Sequence, residues 1–488
     1  MKPQTERESS GGGTSRSAAM LLPALLLAGC ATVEPRQGFD EVSTIVGERT
    51  EQRVHWRTGG DEDDAVDAEI ASLLAEPLSA AAAVQIALLS NRNLQATYEQ
   101  LSIAQADLVA AGLLSNPIFD AEIRFFDAGT GAELNLLQDF LNIFLIPLRT
   151  RIVGAAFEAA KVMVAGQVID LAGVVRETFY DYQAALQSIE MRQTVLGATD
   201  ASLDLAQRMH DAGNITDRSL ALERAQHEQA KLDLAGAEMM AADARENLNA
   251  LMGLWGQQTM WTAEVRLPEL PEDDGDLDHI ERAAIANSLD LAIAGREIEE
   301  LGERLGLERA VRFLPSFEAG ITGEREEGEW GVGPAFSLPI PVFNQGQPGV
   351  AAAAARLEQA RQQYMARAIE IRAAARAARL RVLNARQRAL YYREVILPLR
   401  QEIVDHTQLE YNAMLIGAFE LLDARRQQID AGAQYIQSLR DYWIARSRLD
   451  QILAGRAPGM SGGHIDSTTS TTGSAAHGAA DDEEDRHD

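Results

Sequence analysis

The chain has 488 residues, 46% of them hydrophobic and only 6% aromatic, with a formal charge of −29 at pH 7. Nucleic acid is a poor partner for such a chain, because a phosphate-binding surface needs clustered Lys and Arg that acids do not outweigh. The lean aromatic share, with abundant Ala, Arg, Glu and Gln, suits long helices better than one thick core.

Cys30 is the only cysteine, which rules out an intramolecular disulfide. Ahead of it stand Arg16, an apolar run from Ala18 to Ala28, and the tetrad Leu27-Ala28-Gly29-Cys30. This is the pattern of a bacterial lipoprotein signal, and the run is too short to span a bilayer. The expectation is a signal peptide over 1–29, cleavage before Cys30 and lipidation of its thiol. With Ala31 next, the analogy favours sorting to the outer membrane. Residues 30–77 lack sustained periodicity and hold Gly59-Gly60 beside the acidic run Asp61 to Asp64, so a lipidated extended segment is expected there.

From Leu78 the chain reads as one unit written twice, 78–276 and 277–455. Leu78 to Leu113 and Leu277 to Val311 read as helices. Prolines Pro117 and Pro315 then end each helix and start a strand. Phe119, Ala121, Ile123 and Phe125 alternate with Asp120, Glu122 and Arg124. In the second unit Phe317 and Ile321 open the hairpin, and Trp330, Val332, Phe336, Leu338 and Ile340 alternate with Glu329, Gly331, Gly333, Ala335 and Ser337. Period-2 alternation means two different solvents on the two faces. The strand from Leu134 to Ile146 alternates least well, and Pro147, Pro339 and Pro341 are expected to close the hairpins.

Next come two long helical hairpins. Val168, Val175, Tyr182, Ile189, Leu196 and Leu203 recur every seven residues, a spacing that implies supercoiled neighbours. The row returns 201 residues later as Ile369, Arg376, Leu383, Leu390, Leu397, Val404 and Tyr411. Gly197 and Pro398 are equivalent weak points, with a bend expected at Pro398. Arg372, Arg379, Arg386, Arg393 and Arg400 also repeat in sevens and read as an ion-pairing or solvated face. Residues 456–488, rich in Ser, Thr, Gly, His and Asp, read as a disordered acidic tail.

Four strands cannot close a barrel alone, because small closed barrels need about eight. A lipid-facing sheet tolerates no open edge, so the strands must come from several chains, and three copies would supply twelve. No enzyme motif competes: His55, His210, His227, His279 and His406 are scattered, and no glycine-rich phosphate loop follows a strand. Neither cofactor nor metal is expected, and His464, His477 and His487 of the tail make only a nonspecific metal pattern.

The duplicated order of helix, strand hairpin and helical hairpin resembles the TolC-like outer membrane efflux protein family over roughly Leu78 to Ala454. Two turn motifs carry the resemblance further. The first is Ala212-Gly213-Asn214-Ile215-Thr216, continuing to Leu222-Glu223-Arg224-Ala225-Gln226. The second is Tyr411-Asn412-Ala413-Met414, followed by Glu420-Leu421-Leu422-Asp423-Ala424-Arg425. The resemblance implies a mainly α protein with a small β part: a homotrimer whose 12-stranded barrel in outer membrane lipid continues into a 12-helix periplasmic tunnel. It implies an exit channel docked to a periplasmic adaptor and an inner membrane pump, with no catalysis. By the same analogy Glu420 and Asp423 form an acidic pore constriction. Gly213, Asn214, Ile215 and Thr216, with Met414 and Gly417, form adaptor-docking tips. Met414 stands where the first tip has its small residue, and a turn shifted to Gly417 would restore one. The first unit has Ser219 and Leu222 where the second has the acids, so the ring rests on one repeat. The competing reading is a lipid-anchored periplasmic coiled-coil scaffold with no pore.

Overall fold

The computed structural model describes residues 33–34, 36–126, 129–326 and 329–457. Cys30 and the tail histidines lie outside the described residues.

The segment expected to be extended instead folds into two helices, α1 (Phe39–Thr50) and α2 (Asp61–Leu74). On α1, Val42 and Val46 sit one turn apart and are fully buried, next to Phe39, whose ring packs edge-on against Trp56 and Tyr98 at 5.5 and 5.0 Å. The acidic run read as a linker is the first turn of α2, where carboxylates favour the positive end of the helix dipole. Asp63 there accepts hydrogen bonds from the amides of Thr58 and Gly59 at 3.0 and 2.6 Å, and His55 lies 2.5 Å away.

The expected helix from Leu78 is broken into α3 (Ala80–Ser90) and α4 (Arg92–Gly112). Asn91 is the reason: its backbone is extended at ψ 119° and its Oδ1 caps α4 by accepting from the Leu94 amide at 2.9 Å. Ser288 plays the same part 197 residues on, accepting from Leu291 at 3.1 Å between α7 (Ile280–Asn287) and α8 (Leu289–Val311). A cap residue one position ahead of an apolar run is a stop as well as a start.

Strands β1 (Ile118–Phe126), β2 (Gly129–Asp139), β3 (Glu318–Glu326) and β4 (Glu329–Ser337) form one antiparallel sheet in sequence order. The β2–β3 pairing joins the two units, with Gly320 opposite Leu137. A Cβ at Gly320 would stand 1.9 Å from the Leu136 carbonyl oxygen, so only glycine lets the two backbones approach. The expected strand to Ile146 stops at Asp139, and Pro147 lies inside a helix rather than closing a hairpin. The Asp139 carboxylate accepts from the amides of Leu141 and Asn142 at 3.0 and 3.3 Å and so starts the helix early. Pro147 falls in its second turn.

That helix, α5 (Leu141–Asp211), runs 71 residues without a break at Gly197, a length of about 105 Å at ~1.5 Å per residue. It returns as α6 (Asp217–Met252). In the second unit α9 (Gln347–Tyr391) passes through a π-helical turn, Tyr392–Ile396, into α10 (Leu397–Asn412) and returns as α11 (Ala418–Leu453). The wider turn takes up the amide that Pro398 cannot supply. At the level of the expected bend the helix carries this π-helical turn.

Two cores follow. Val164, Val168, Ala172, Val175, Phe179 and Tyr182 of α5 pack with α1, α3, α4 and α6, which matches the first heptad row as far as Ile189; beyond it the buried positions are Val195, Thr199, Ser202 and Ala206 rather than Leu196 and Leu203. In the second core the buried row on α9 is Ile371, Ala375, Ala378, Val382 and Ala389, facing Ile436, Leu439, Tyr442 and Leu449. The heptad row read there is displaced from this seam: Ile369 and Leu383 are exposed. The arginine ladder is partly a set of clamps. Arg386 donates to the carbonyls of Pro271 and Glu272, both at 2.7 Å. Arg379 donates to the Leu277 carbonyl at 3.0 Å and to Asp278 at 2.9 Å, fixing the connection between the units.

Candidate functional site

Two regions of opposite character define the site: the sheet at one end of the long helices and the hairpin turns at the other. In the sheet, register decides which side chains share a face. Asp120, Asn135 and Thr322 align across three strands, as do Glu122, Glu133 and Glu324, so one face is a charged grid. Arg124 bridges Glu122 at 2.7 Å and Glu133 at 3.4 Å within it. The other face carries Phe119, Ile123, Phe125, Ile321, Trp330, Val332 and Phe336, between 50% and 84% exposed. Leu338 lies just past β4 and Phe317 just before β3. Strands β1 and β4 each pair on one side only, leaving two open edges in a single chain.

At the far end the two turns are built alike, with Met414 in the place of Gly213. The Gly213 amide donates to His210 and the Asn214 amide to Met209, both at 2.8 Å. Met414 and Leu415 donate to Tyr411 and Glu410 at 2.9 and 3.0 Å. Gly213 has φ +73° and Met414 φ +59°, so the turn is not shifted to Gly417. Instead Gly417 takes the place of Thr216. Both have φ −84° with extended ψ, but Thr216 caps α6 through Ser219 at 3.2 Å and Gly417 has no side chain to do so. A left-handed conformation costs a non-glycine residue about 1–2 kcal/mol, against about 0.5–1 kcal/mol of extra chain entropy lost by glycine. Met414→Gly is therefore expected to steady the second tip and slow hydrogen exchange at the Leu415 amide about two- to fivefold. Faster exchange would show that the 93% exposed methionine side chain holds the turn.

Ile215 stays half-buried in the first turn. His210 sits 2.6 Å from Asp217 across that turn, and the Asp217 carboxylate holds the imidazole's pKa above its ordinary value. The second turn has Tyr411 and Ala418 at these places.

Glu420 and Asp423 lie in the opening turns of α11, three residues apart as expected, yet they are not equivalent. Asp423 accepts from Arg426 at 2.5 Å and from Gln427 at 2.6 Å, and Arg426 reaches across to Gln226 of α6 at 2.6 Å. Glu420 is exposed and ion-pairs with no residue among those described.

Residues missed from sequence sit between the two ends. Arg456, assigned to the tail, is only 8% exposed and binds Asp170 of α5 and Asp290 of α8; Ala457 is buried beside it. Asp274 receives the Tyr442 hydroxyl at 2.5 Å and lies 3.3 Å from Arg386. Long separation hides both sets, since Arg456 and Asp170 are 286 positions apart.

A sheet with one apolar and one charged face, standing on helices of about 100 Å whose far turns are exposed, is the fold of an outer membrane channel subunit. Residues 282–455 match the outer membrane efflux protein family. The chain is 23% identical over 392 residues to the cobalt-zinc-cadmium resistance protein CzcC of Cupriavidus metallidurans, covering 78% of this chain and 90% of that protein. Among solved structures, a membrane protein from Pseudomonas aeruginosa superposes with a TM-score of 0.65 at 17% identity, covering 77% of this chain and 90% of its own. The Campylobacter jejuni CmeC outer membrane channel does so with a TM-score of 0.61 at 16% identity, covering 86% and 92%. Residues 282–455 thus carry the match to that family, and the fold is the one these outer membrane proteins share.

Proposed function

We propose that three copies assemble into a 12-stranded outer membrane barrel continuing into a 12-helix periplasmic tunnel, the exit duct of a tripartite efflux system. The observation that carries this is the sheet. It has four strands, two open edges and an exposed apolar face, a combination that lipid accepts only when neighbours close the edges. Exposed Ile369 and Leu383 on α9 supply an apolar seam for the same neighbours. The recurring order of elements supports an internal duplication, 78–276 and 277–455, and the tetrad Leu27-Ala28-Gly29-Cys30 supports an anchor on Cys30 after removal of 1–29.

In this reading the tips around Gly213 to Thr216 and Met414 to Gly417 receive a periplasmic adaptor, which connects to an inner membrane pump. Glu420, with Asp423, rings the entrance. The name of the Cupriavidus relative supports divalent heavy-metal cations among the cargo, and carboxylates at the entrance suit such ions. A pore-free scaffold would have no use for an apolar sheet face.

Planar bilayer recording of the purified full chain tests the proposal. Discrete channel openings are expected; a silent bilayer with inserted protein would sink the duct and favour the scaffold.

A further inference from the structure

Where the helices meet the sheet, four helices of one chain line a half-open pocket of about 280 Å³, in which Arg304 and Arg356 are exposed and Arg149 half-buried. Ala111 of α4, Arg149 of α5, Arg304 and Glu308 of α8 and Arg356 of α9 line it, with aliphatic walls between them. Three guanidinium groups to one carboxylate is a local reversal in a chain of charge −29. Two of the three are uncommitted. Arg304 is paired with Glu300 at 2.8 Å, but neither Arg149 nor Arg356 has a carboxylate within ion-pair distance among the described residues. Arg149 spends one donor on the Asn142 carbonyl at 3.0 Å, while its Nε is buried with no acceptor. A buried donor without an acceptor is unfavourable, and an incoming oxyanion would satisfy it.

The placement is as informative as the charge. Arg149 stands eight residues into α5 and Arg356 nine into α9, so both lie about 12–14 Å below the helix starts. Phe144, 78% exposed, precedes Arg149 by five residues, about 140° round the helix. Arg149 therefore faces away from Phe144 on α5.

We propose that this cavity is a binding site for small amphipathic oxyanions, an alkyl phosphate or aliphatic carboxylate whose head takes the guanidinium groups of Arg149 and Arg356. The planar donors of arginine match such oxygens in pairs. Ile152, Val153, Leu301 and Leu307 would cover the hydrocarbon, and the volume limits the ligand to a short chain. The site rests on the duct reading only for its placement on the water side, and it extends the cargo beyond cations.

Calorimetric titration of the purified full chain, in nanodiscs of zwitterionic lipid, with hexyl phosphate decides. Saturable binding is expected, at least tenfold weaker in Arg149→Gln and in Arg356→Gln, and changed less than threefold in Arg304→Gln. All three variants are checked for unchanged oligomer size. No saturable binding, equal binding of inorganic phosphate or of hexyltrimethylammonium, or full retention in Arg149→Gln and Arg356→Gln would each overturn the site. So would displacement by phosphatidylglycerol in the nanodisc, which would make it a lipid site. Binding to a protein that stays silent in planar bilayers would leave the site standing and remove the duct.

Discussion

Arg456→Met is expected to destabilise the folded chain by about 3–5 kcal/mol, the usual cost of removing one partner from a buried ion pair. Arg456 donates through Nε and Nη2 to Asp170 at 3.0 and 2.5 Å, while Nη1 meets Asp290. Asp290 also accepts from the Ala457 amide at 3.4 Å. Burial pushes the Asp290 carboxyl's pKa up more than the guanidinium draws it down, and Arg456 is the strongest of the groups that favour its charge. The triad joins the long helix of the first unit, the opening of the second and the end of the described chain. Its loss should therefore loosen the contact between the units rather than fray one helix. Methionine keeps most of the packing against Gly166, where Arg456 Cδ lies 3.0 Å from the position a Cβ would take. Adding Asp290→Asn to Arg456→Met should return a large part of the loss, because the stranded charge is then gone. Denaturant unfolding of the three proteins measures this; a cost below about 1 kcal/mol for Arg456→Met would mean that water reaches Asp290 and replaces the arginine.

Much of the architecture is legible because it is written in local periodicity. Phe119, Ile123 and Phe125 against Asp120, Glu122 and Arg124 give a two-faced strand from sequence alone, and Val168, Val175 and Tyr182 give the seam that packs the first hairpin. Gly213 marks the first turn. Misreadings arise where a single polar side chain overrides a pattern. Asn91 and Ser288 split helices that apolar spacing joins. Asp139 caps α5 so that it begins at Leu141, ahead of Pro147, and a proline in an opening turn ends nothing. Helix α1 escapes notice because two valines on one face are too few to register as a period. The acidic run of α2 resembles a linker because charge at a helix start and charge in a loop are identical in composition. Of the site, spacing places Glu420 and Asp423 on adjoining turns, but nothing local to 420–423 says that Arg426 and Gln427 hold one of them. The Arg456 triad is beyond the reach of local patterns, as Asp170 and Asp290 lie 286 and 166 positions from Arg456.

Because Asp423 is held and Glu420 is not, the two acids should differ in what they do to a passing ion. Glu420→Gln is expected to weaken block of the channel by multivalent cations about tenfold, whereas Asp423→Asn is expected to change it about twofold or less. Tenfold is about 1.4 kcal/mol, or roughly 0.5 kcal/mol from each of three carboxylates, within the range of exposed charge interactions. Asp423 is already neutralised in part by Arg426 at 2.5 Å, and removing its charge leaves that guanidinium either on Gln226 or turned to the same entrance. The two effects on an approaching cation are of the same sign, so a small change in Asp423→Asn requires Arg426 to remain on Gln226, its second partner at 2.6 Å. Arg426→Gln then separates the two cases. With the guanidinium removed, Asp423 keeps only the neutral Gln427 amide at 2.6 Å as partner, and block should strengthen. Equal losses in Glu420→Gln and Asp423→Asn would mean that assembly breaks the Asp423–Arg426 pair and that the ring has six equivalent acids. No loss in either would place the narrowest point of the duct away from α11.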